Sequence, residues 1–241
     1  MGILGINFSH DGTLSFVDEG RHVFSIAEER INRTKAYLGF PFAALRYVLD
    51  HGVLDPEKVS EVAVAINYFP AELAETLSFL LNEDKKYYDI QNDDRPSDYY
   101  INDSDWKNIR TEMQCKEYVI EKLSALLLKN KIHAPIVFHK HHLCHAASAY
   151  YSSGYNDDKV LAITMDGEGD GLSASVNQCE NGRISVLSET DRFNSAGYLY
   201  SAVTKQCGFK VSRHEGKITG LAAYGNPDKV RSFFSDYIRV E

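Results

Sequence analysis

Four histidines fall within seven residues near the middle of the chain, at His139, His141, His142 and His145. His141 and His145 are four residues apart, and on an α-helix this spacing puts two imidazoles on one face, about 5 to 6 Å apart at Cβ. Two such rings can share one metal ion, which then needs a third ligand from elsewhere in the chain. Asp166, which follows an apolar segment, suits that role, so the residues predict an iron, zinc or manganese site with positions open for a substrate.

Two surface histidines are the alternative explanation of this spacing, and the crowding of four histidines in so short a segment favours the metal site. Cys144 lies inside the cluster. We interpret it as a small buried apolar residue rather than as a ligand.

The elements that must position these side chains follow from the hydrophobic periodicity and the turn residues. Alternating apolar residues predict strands over 3–8, 13–17, 22–26, 62–66, 136–138, 160–165, 172–176 and 184–187. Helices are predicted over 28–37, 41–51, 71–81, 107–130, 141–151, 197–206, 217–224 and 228–237. The His141–His145 pair is therefore expected on a helix, and Asp166 in a turn directly after a buried strand.

Two segments of the chain resemble each other. In each, an apolar strand runs into a turn rich in Gly and Asp and then into a second strand, with Asp11-Gly12 in the first turn and Asp170-Gly171 in the second. A single Asp-Gly turn is typical of any hairpin, whereas the paired occurrence indicates an internal duplication. Glycine lets the backbone N–H groups of such a turn approach phosphate oxygens, so two hairpins facing a cleft would clamp a nucleotide.

Composition excludes several classes of protein. The chain has 241 residues with a net charge of -8 and a mean hydropathy of -0.33, which argues against binding nucleic acid through phosphate neutralisation. Apolar stretches fall short of the roughly 20 residues that span a bilayer, and we see no secretory signal, so we expect a cytoplasmic protein with no membrane partner. The four cysteines show no paired spacing, which predicts reduced thiols.

Two charged segments stand out. The acidic, tyrosine-rich segment 83–105 is interpreted as an inserted surface loop or lid. The segment Glu28 to Lys35 concentrates three bases in six residues. Its alternatives are a solvated helix face or a group of cations that binds a phosphorylated substrate.

Five motifs, taken in order, resemble the NodU/CmcH-type O-carbamoyltransferases over essentially the whole chain. They are Gly5-Ile6-Asn7 with His10-Asp11-Gly12, Ala27-Glu28-Glu29-Arg30 with Lys35, His141 to Tyr150, Asp166-Gly167-Glu168-Gly169-Asp170, and Glu215 to Gly225. The resemblance implies an α/β fold of the actin/sugar-kinase type, which is ribonuclease H-like and duplicated. We expect the first subdomain over 1–158, with the insertion at 83–105, and the start of an incomplete second one over 159–241.

The resemblance also implies a reaction. A YrdC-like domain converts carbamoyl phosphate and ATP into carbamoyl adenylate, and the metal-dependent domain moves the carbamoyl group onto a hydroxyl of a sugar or natural-product acceptor. Carried over by residue, His141, His145 and Asp166 hold the metal, with iron preferred over zinc or manganese, and His10 and Lys35 act near the transferred group. The nucleotide-binding positions are Asp11, Gly12, Gly167, Gly169 and Lys217.

The chain also departs from the family pattern. It stops before a later Asp ligand and before any YrdC-like domain, so we expect residues 1–241 alone not to carry out the complete reaction, and that domain to act in cis or in trans. Two other functions stay open: an ATP-dependent kinase of the same fold, and a non-catalytic fragment or binding module.

Overall fold

Two β-sheets and eight α-helices make up the part of the chain, residues 1–83, 105–155 and 158–235, that the computed structural model describes. The strands are β1 Gly2–Asn7, β2 Thr13–Asp18, β3 Arg21–Ala27, β4 Val59–Val64, β5 Ile136–Phe138, β6 Val160–Gly169, β7 Leu172–Glu180 and β8 Arg183–Asp191. The helices are α1 Glu28–Asn32, α2 Phe42–Asp50, α3 Ala74–Leu80, α4 Glu112–Lys129, α5 His141–Ser153, α6 Ala196–Gln206, α7 Glu215–Ala222 and α8 Arg231–Ser235. The predicted insertion 83–105 lies, apart from its ends, outside the described residues.

The first sheet has five strands in the order β3-β2-β1-β4-β5. Strand β2 is antiparallel to both β1 and β3, whereas β4 runs parallel to β1 and β5 runs parallel to β4. This order, with a single antiparallel strand, is the ribonuclease H-like arrangement expected from the sequence. The predicted α/β fold class is confirmed.

One face of this sheet carries the main hydrophobic core. Alternate strand residues point into it, which is the period-two pattern from which the strands were predicted. The core includes Leu4, Ile6, Leu14, Phe16, Val62 and Val64 from the strands, and Leu45, Val48, Leu77, Leu123 and Leu127 from α2, α3 and α4. Burial of each such side chain stabilises the fold by about 1.5 to 3 kcal/mol, so this sheet is a rigid base for the loops at its edge.

The second sheet is the antiparallel meander β6-β7-β8. It repeats the meander β1-β2-β3 that opens the chain, as the internal resemblance predicted. Its core is small and consists of Ala146 and Tyr150 from α5 with Ala162 and Cys179 from the strands. Helix α5 therefore packs on the second sheet. The boundary expected at 158–159 stays a prediction.

Several predicted elements begin or end at other residues in the structure. Strands β7 and β8 end at Glu180 and Asp191, beyond the predicted 176 and 187, and helices α4 and α8 begin at Glu112 and Arg231 instead of 107 and 228. Strand β6 continues to Gly169 instead of ending at Met165, because pairing with β7 resumes at Gly169 after an irregularity. The turn after it is only Asp170-Gly171. The helix predicted over 28–37 ends at Asn32, where the next residue takes a left-handed conformation with φ 61°.

Within the described ranges, every helix is too short or too polar to cross a membrane.

Candidate metal centre

His141 and His145 on α5 meet Asp166 of β6. The distance from His141 Nε2 to Asp166 Oδ2 is 2.8 Å, and the two histidine Nε2 atoms are 2.9 Å apart. His145 Nε2 lies 3.5 Å from the same carboxylate oxygen. The structure thus brings together the three residues that the spacing and the resemblance selected.

The donor set fits a divalent metal ion. One ion can lie about 2.0 to 2.2 Å from each of the three atoms, since their separations match those of ligands that share a centre. The three side chains are 18%, 54% and 32% exposed for His141, His145 and Asp166. A site that is partly open on one side leaves coordination positions for a substrate, as two histidines and one carboxylate do for iron, zinc or manganese.

The electrostatics favour the protonation states that a metal site needs. The hydrogen bond from His141, helped by the Gly167 N–H, holds the pKa of Asp166 well below its usual range even though burial opposes this. Burial, together with the positive charge that His141 can carry, lowers the pKa of His145. An ionised carboxylate and a neutral imidazole are the forms that coordinate metal.

His142 lies between the two candidate ligands in the sequence and is buried, with 2% of its surface exposed. Its Nε2 lies 3.2 Å from the Leu172 carbonyl and its Nδ1 lies 2.7 Å from Thr164 Oγ1. A carbonyl only accepts, so Nε2 carries the proton and Nδ1 accepts from the threonine hydroxyl. His142 therefore ties α5 to both β6 and β7.

The hydrogen-bond chain continues beneath the centre. Thr164 Oγ1 lies 2.7 Å from Ser175 Oγ and accepts the Ser175 N–H, and Asn177 Nδ2 donates to Ser175 Oγ at 2.8 Å. All these side chains are buried. The Thr164 hydroxyl donates to His142, so it must accept from the Ser175 hydroxyl. Every hydrogen bond of this network therefore donates toward His142. His142 belongs to the histidine cluster of the sequence, but its spacing alone predicts no role for it.

The centre borders a cleft of about 510 Å³, lined among others by His10, Tyr68, His141, Glu168 and Arg192. The Glu168 carboxylate is held by Arg192 Nη1 at 3.0 Å and by the Tyr198 hydroxyl. Sequence reasoning missed Arg192 and Tyr198, because only the turn after β8 and the start of α6 bring them to β6.

His10 lies at the tip of the first hairpin, and its Nδ1 is 3.0 Å from Asp11 Oδ2. A carboxylate only accepts, so this contact places the proton on Nδ1 and leaves Nε2 able to take a proton. His10 also lines the cleft that reaches His141. The role of His10 near the transferred group stays a prediction.

The sequence profile of the family described as "Carbamoyltransferase N-terminus" matches residues 2–238. The chain belongs to this family. The resemblance stated from the five motifs is thereby confirmed.

Relatives in this family are longer proteins. The uncharacterized protein sll1178 of Synechocystis is 29% identical over 233 residues, which cover 95% of this chain and 35% of that protein. The nodulation protein NolNO of Sinorhizobium fredii is 25% identical, over 97% of this chain and 30% of its own length. The chain thus spans about a third of the length of these curated relatives.

Among solved structures, YeaZ from Pseudomonas aeruginosa aligns with a TM-score of 0.38 and 14% identity, over 79% of this chain and 66% of that chain.

The other positions implied by the carbamoyltransferase resemblance lie outside the metal centre. Lys35 is in an exposed turn after α1. Lys217 is exposed on α7, with its Nζ 5.6 Å from the centroid of the Phe209 ring. Neither is among the residues that line the cleft, and their roles near the transferred group and the phosphate stay predictions.

The glycines expected to cradle a nucleotide have contacts of their own. The Gly12 N–H donates to the Tyr37 carbonyl at 3.1 Å, so a phosphate would need other atoms of this turn. Gly167 and Gly169 lie in strand β6 rather than in a loop, and the Gly167 carbonyl accepts from Ser195 Oγ at 2.7 Å. Nucleotide binding by Asp11, Gly12, Gly167 and Gly169 stays a prediction.

Proposed function

We propose that this chain forms the metal-bearing part of an enzyme that transfers a carbamoyl group to a hydroxyl of a sugar or natural-product acceptor. The observation that carries the proposal is the meeting of His141, His145 and Asp166 beside a cleft that His141 and His10 both line. Membership of the carbamoyltransferase family supports the group transferred. Carbamoyl adenylate, formed from carbamoyl phosphate and ATP by a YrdC-like domain in cis or in trans, is the proposed donor.

In the proposed step, the acceptor hydroxyl oxygen bonds to the carbamoyl carbon and the bond from that carbon to the phosphate oxygen of AMP breaks. AMP leaves with the electron pair. The hydroxyl proton passes to His10 Nε2, which carries the lone pair of the neutral ring because Nδ1 holds the proton that Asp11 accepts. A divalent ion, for which we propose iron, would supply a Lewis acid for the negative charge that develops on the leaving phosphate.

This chain's own residues set the geometry of that step. Helix α5 presents His141 at the wall of the cleft and His145 beside it, while Asp166 completes the triad from β6. His10 approaches from the first sheet across the same cleft. Positioning of this kind is sensitive, since a misplacement of about 1 Å can cost about 100-fold in rate.

The metal centre is tested by titrating the purified, metal-free chain with Fe²⁺ under anaerobic conditions and with Co²⁺, whose visible absorption reports its coordination. We expect one ion per chain. His145→Ala and Asp166→Asn should each weaken binding by about 100-fold, because the first removes one of three ligands and the second replaces the anionic oxygen with a neutral amide oxygen. His139→Ala is the matched control from the same cluster and should bind like the wild type.

The transfer reaction is tested with carbamoyl phosphate, ATP and a panel of sugar acceptors, and the product is read by mass spectrometry. We expect carbamoylated product when a YrdC-like protein is added and none from residues 1–241 alone. Phosphorylated sugar without carbamoylated product would favour the kinase alternative. If the chain folds without metal, binds no ion and yields no product, the results favour a binding module.

A further inference from the structure

Asp170 occupies the first position of the two-residue turn between β6 and β7. Asp170 and Gly171 both have positive φ, 54° and 80°, the conformation of a type I′ hairpin turn. The structure has two further turns of this kind, at Glu19-Gly20 and Asn181-Gly182, with φ of 49° and 75° and of 51° and 71°. Glu19 and Asn181 adopt the same backbone as Asp170, so the turn by itself does not require an aspartate there.

The carboxylate of Asp170 reaches beyond its own hairpin. Its Oδ2 accepts the backbone N–H of His141 at 2.7 Å and that of Asn67 at 3.0 Å. His141 is the first residue of α5, and its N–H is one of the four that a helix leaves without a partner. Asn67 lies in the loop after β4, so one carboxylate joins the first sheet, α5 and the second sheet.

The same hairpin also contacts the ring of His141. Asp166 binds its Nε2 at 2.8 Å, and the absence of a side chain at Gly169 leaves room for the imidazole. Residues of one strand and its turn therefore hold His141 at the backbone, at the ring face and at the ring nitrogen. The backbone contact fixes the point from which the ring extends.

We propose that Asp170 is a positioning residue that sets His141 in place for metal coordination and locks the loop after β4 to the metal centre. The inference rests on the metal site of the proposed function. An outer group that orients a ligand contributes about 10- to 100-fold to metal affinity. Asp170 acts through its accepting oxygen, which an amide oxygen can replace.

The test compares Asp170→Ala and Asp170→Asn in the 241-residue chain. Asp170→Ala should weaken Co²⁺ binding by about 10- to 100-fold. Asp170→Asn should stay within about threefold of the wild type, because its amide oxygen still accepts both N–H groups. Asn181→Ala is the matched control, since it places alanine at the same turn position of the neighbouring hairpin and touches none of the metal-ligating residues.

Hydrogen exchange of the metal-free protein gives an independent readout. The amides of His141 and Asn67 should exchange faster in Asp170→Ala, and those of the wild type and Asp170→Asn should exchange at similar rates. Wild-type affinity in Asp170→Ala would overturn the proposal, as would equal weakening in both variants. If Asp170→Ala does not fold, Asp170→Asn decides. A loss of tenfold or more in its Co²⁺ affinity overturns the proposal, whereas retained affinity with slowly exchanging His141 and Asn67 amides supports the proposal.

The two proposals fail in different ways. If the wild type binds no ion, the proposed function fails, while the exchange of the His141 and Asn67 amides still decides whether Asp170 positions them.

Discussion

The ring of His141 lies directly against the backbone of Gly169. A Cβ atom at Gly169 would lie 2.0 Å from His141 Cδ2, which is far closer than two carbon atoms can approach, whereas a Cβ at Gly167 would have no neighbour within 4 Å. Gly167 and Gly169 of β6 therefore differ in whether the position tolerates a side chain. At Gly169 the glycine leaves room for a candidate metal ligand.

Gly169→Ala should weaken metal binding by at least about 10-fold, because the added methyl group displaces the His141 ring from Asp166. Gly167→Ala, two residues earlier in β6, is the control and should bind metal like the wild type. Co²⁺ titration with circular dichroism measures both affinity and folding. Equal metal affinity in the two variants would contradict this prediction, because it would show that the His141 ring can move without weakening metal binding. A loss of nucleotide binding in both would instead support the predicted phosphate cradle.

His142→Ala should lower the free energy of unfolding by about 2 to 4 kcal/mol. The substitution leaves a cavity, and it removes the acceptor of the Thr164 hydroxyl and the donor to the Leu172 carbonyl. Urea unfolding measures the change. His133→Ala, at an exposed position, should change stability by less than about 0.5 kcal/mol. A similarly small change in the free energy of unfolding for His142→Ala would mean that water replaces the hydrogen bonds of His142.

Glu28→Ala should destabilise the protein by about 2 to 3 kcal/mol. Glu28 is buried, and its carboxylate accepts the N–H groups of Ala43 and Ala44 at 3.0 and 2.7 Å at the start of α2. These are charge-assisted bonds at the positive end of a helix. Glu28→Gln should recover part of the loss, and exposed Glu75→Ala should have little effect. Thermal unfolding of the four proteins checks the order.

Cys144 should react slowly with iodoacetamide near neutral pH. Burial, with a smaller contribution from the Asp170 charge, raises the pKa of Cys144 to about 11. A raised pKa keeps the thiol protonated, so only about one molecule in a thousand carries the thiolate at pH 8, and the labelling rate should rise with pH toward that value. Exposed Cys207 is the internal control. Mass spectrometry that finds Cys144 labelled first at pH 7.5 would contradict the prediction.

Much of the fold was predictable because its signals are local. Strands β1, β2 and β3 follow from alternating apolar residues, and the type I′ turn at Asp170-Gly171 follows from its dipeptide. The basic segment after Glu28 was less predictable. Its first acid is buried at the start of α2, an interaction across fifteen residues, which the charge pattern of the segment does not encode.

The sequence by itself determined that His141 and His145 share a face, since the helical repeat depends only on neighbouring residues. The position of Asp166 after an apolar strand also selected it as the third ligand, but the sequence indicated no partner for Glu168 or Asp170. Asp166, Glu168 and Asp170 occupy every second position, and the two-residue period of a strand places such side chains on the same face of the sheet. The tertiary structure confirmed Asp166 beside the histidines, and it alone assigned Glu168 to Arg192 and Tyr198 and Asp170 to two backbone amides. The physical reason is that the docking of α5, tied to β6 and β7 through His142, decides which carboxylate each partner reaches.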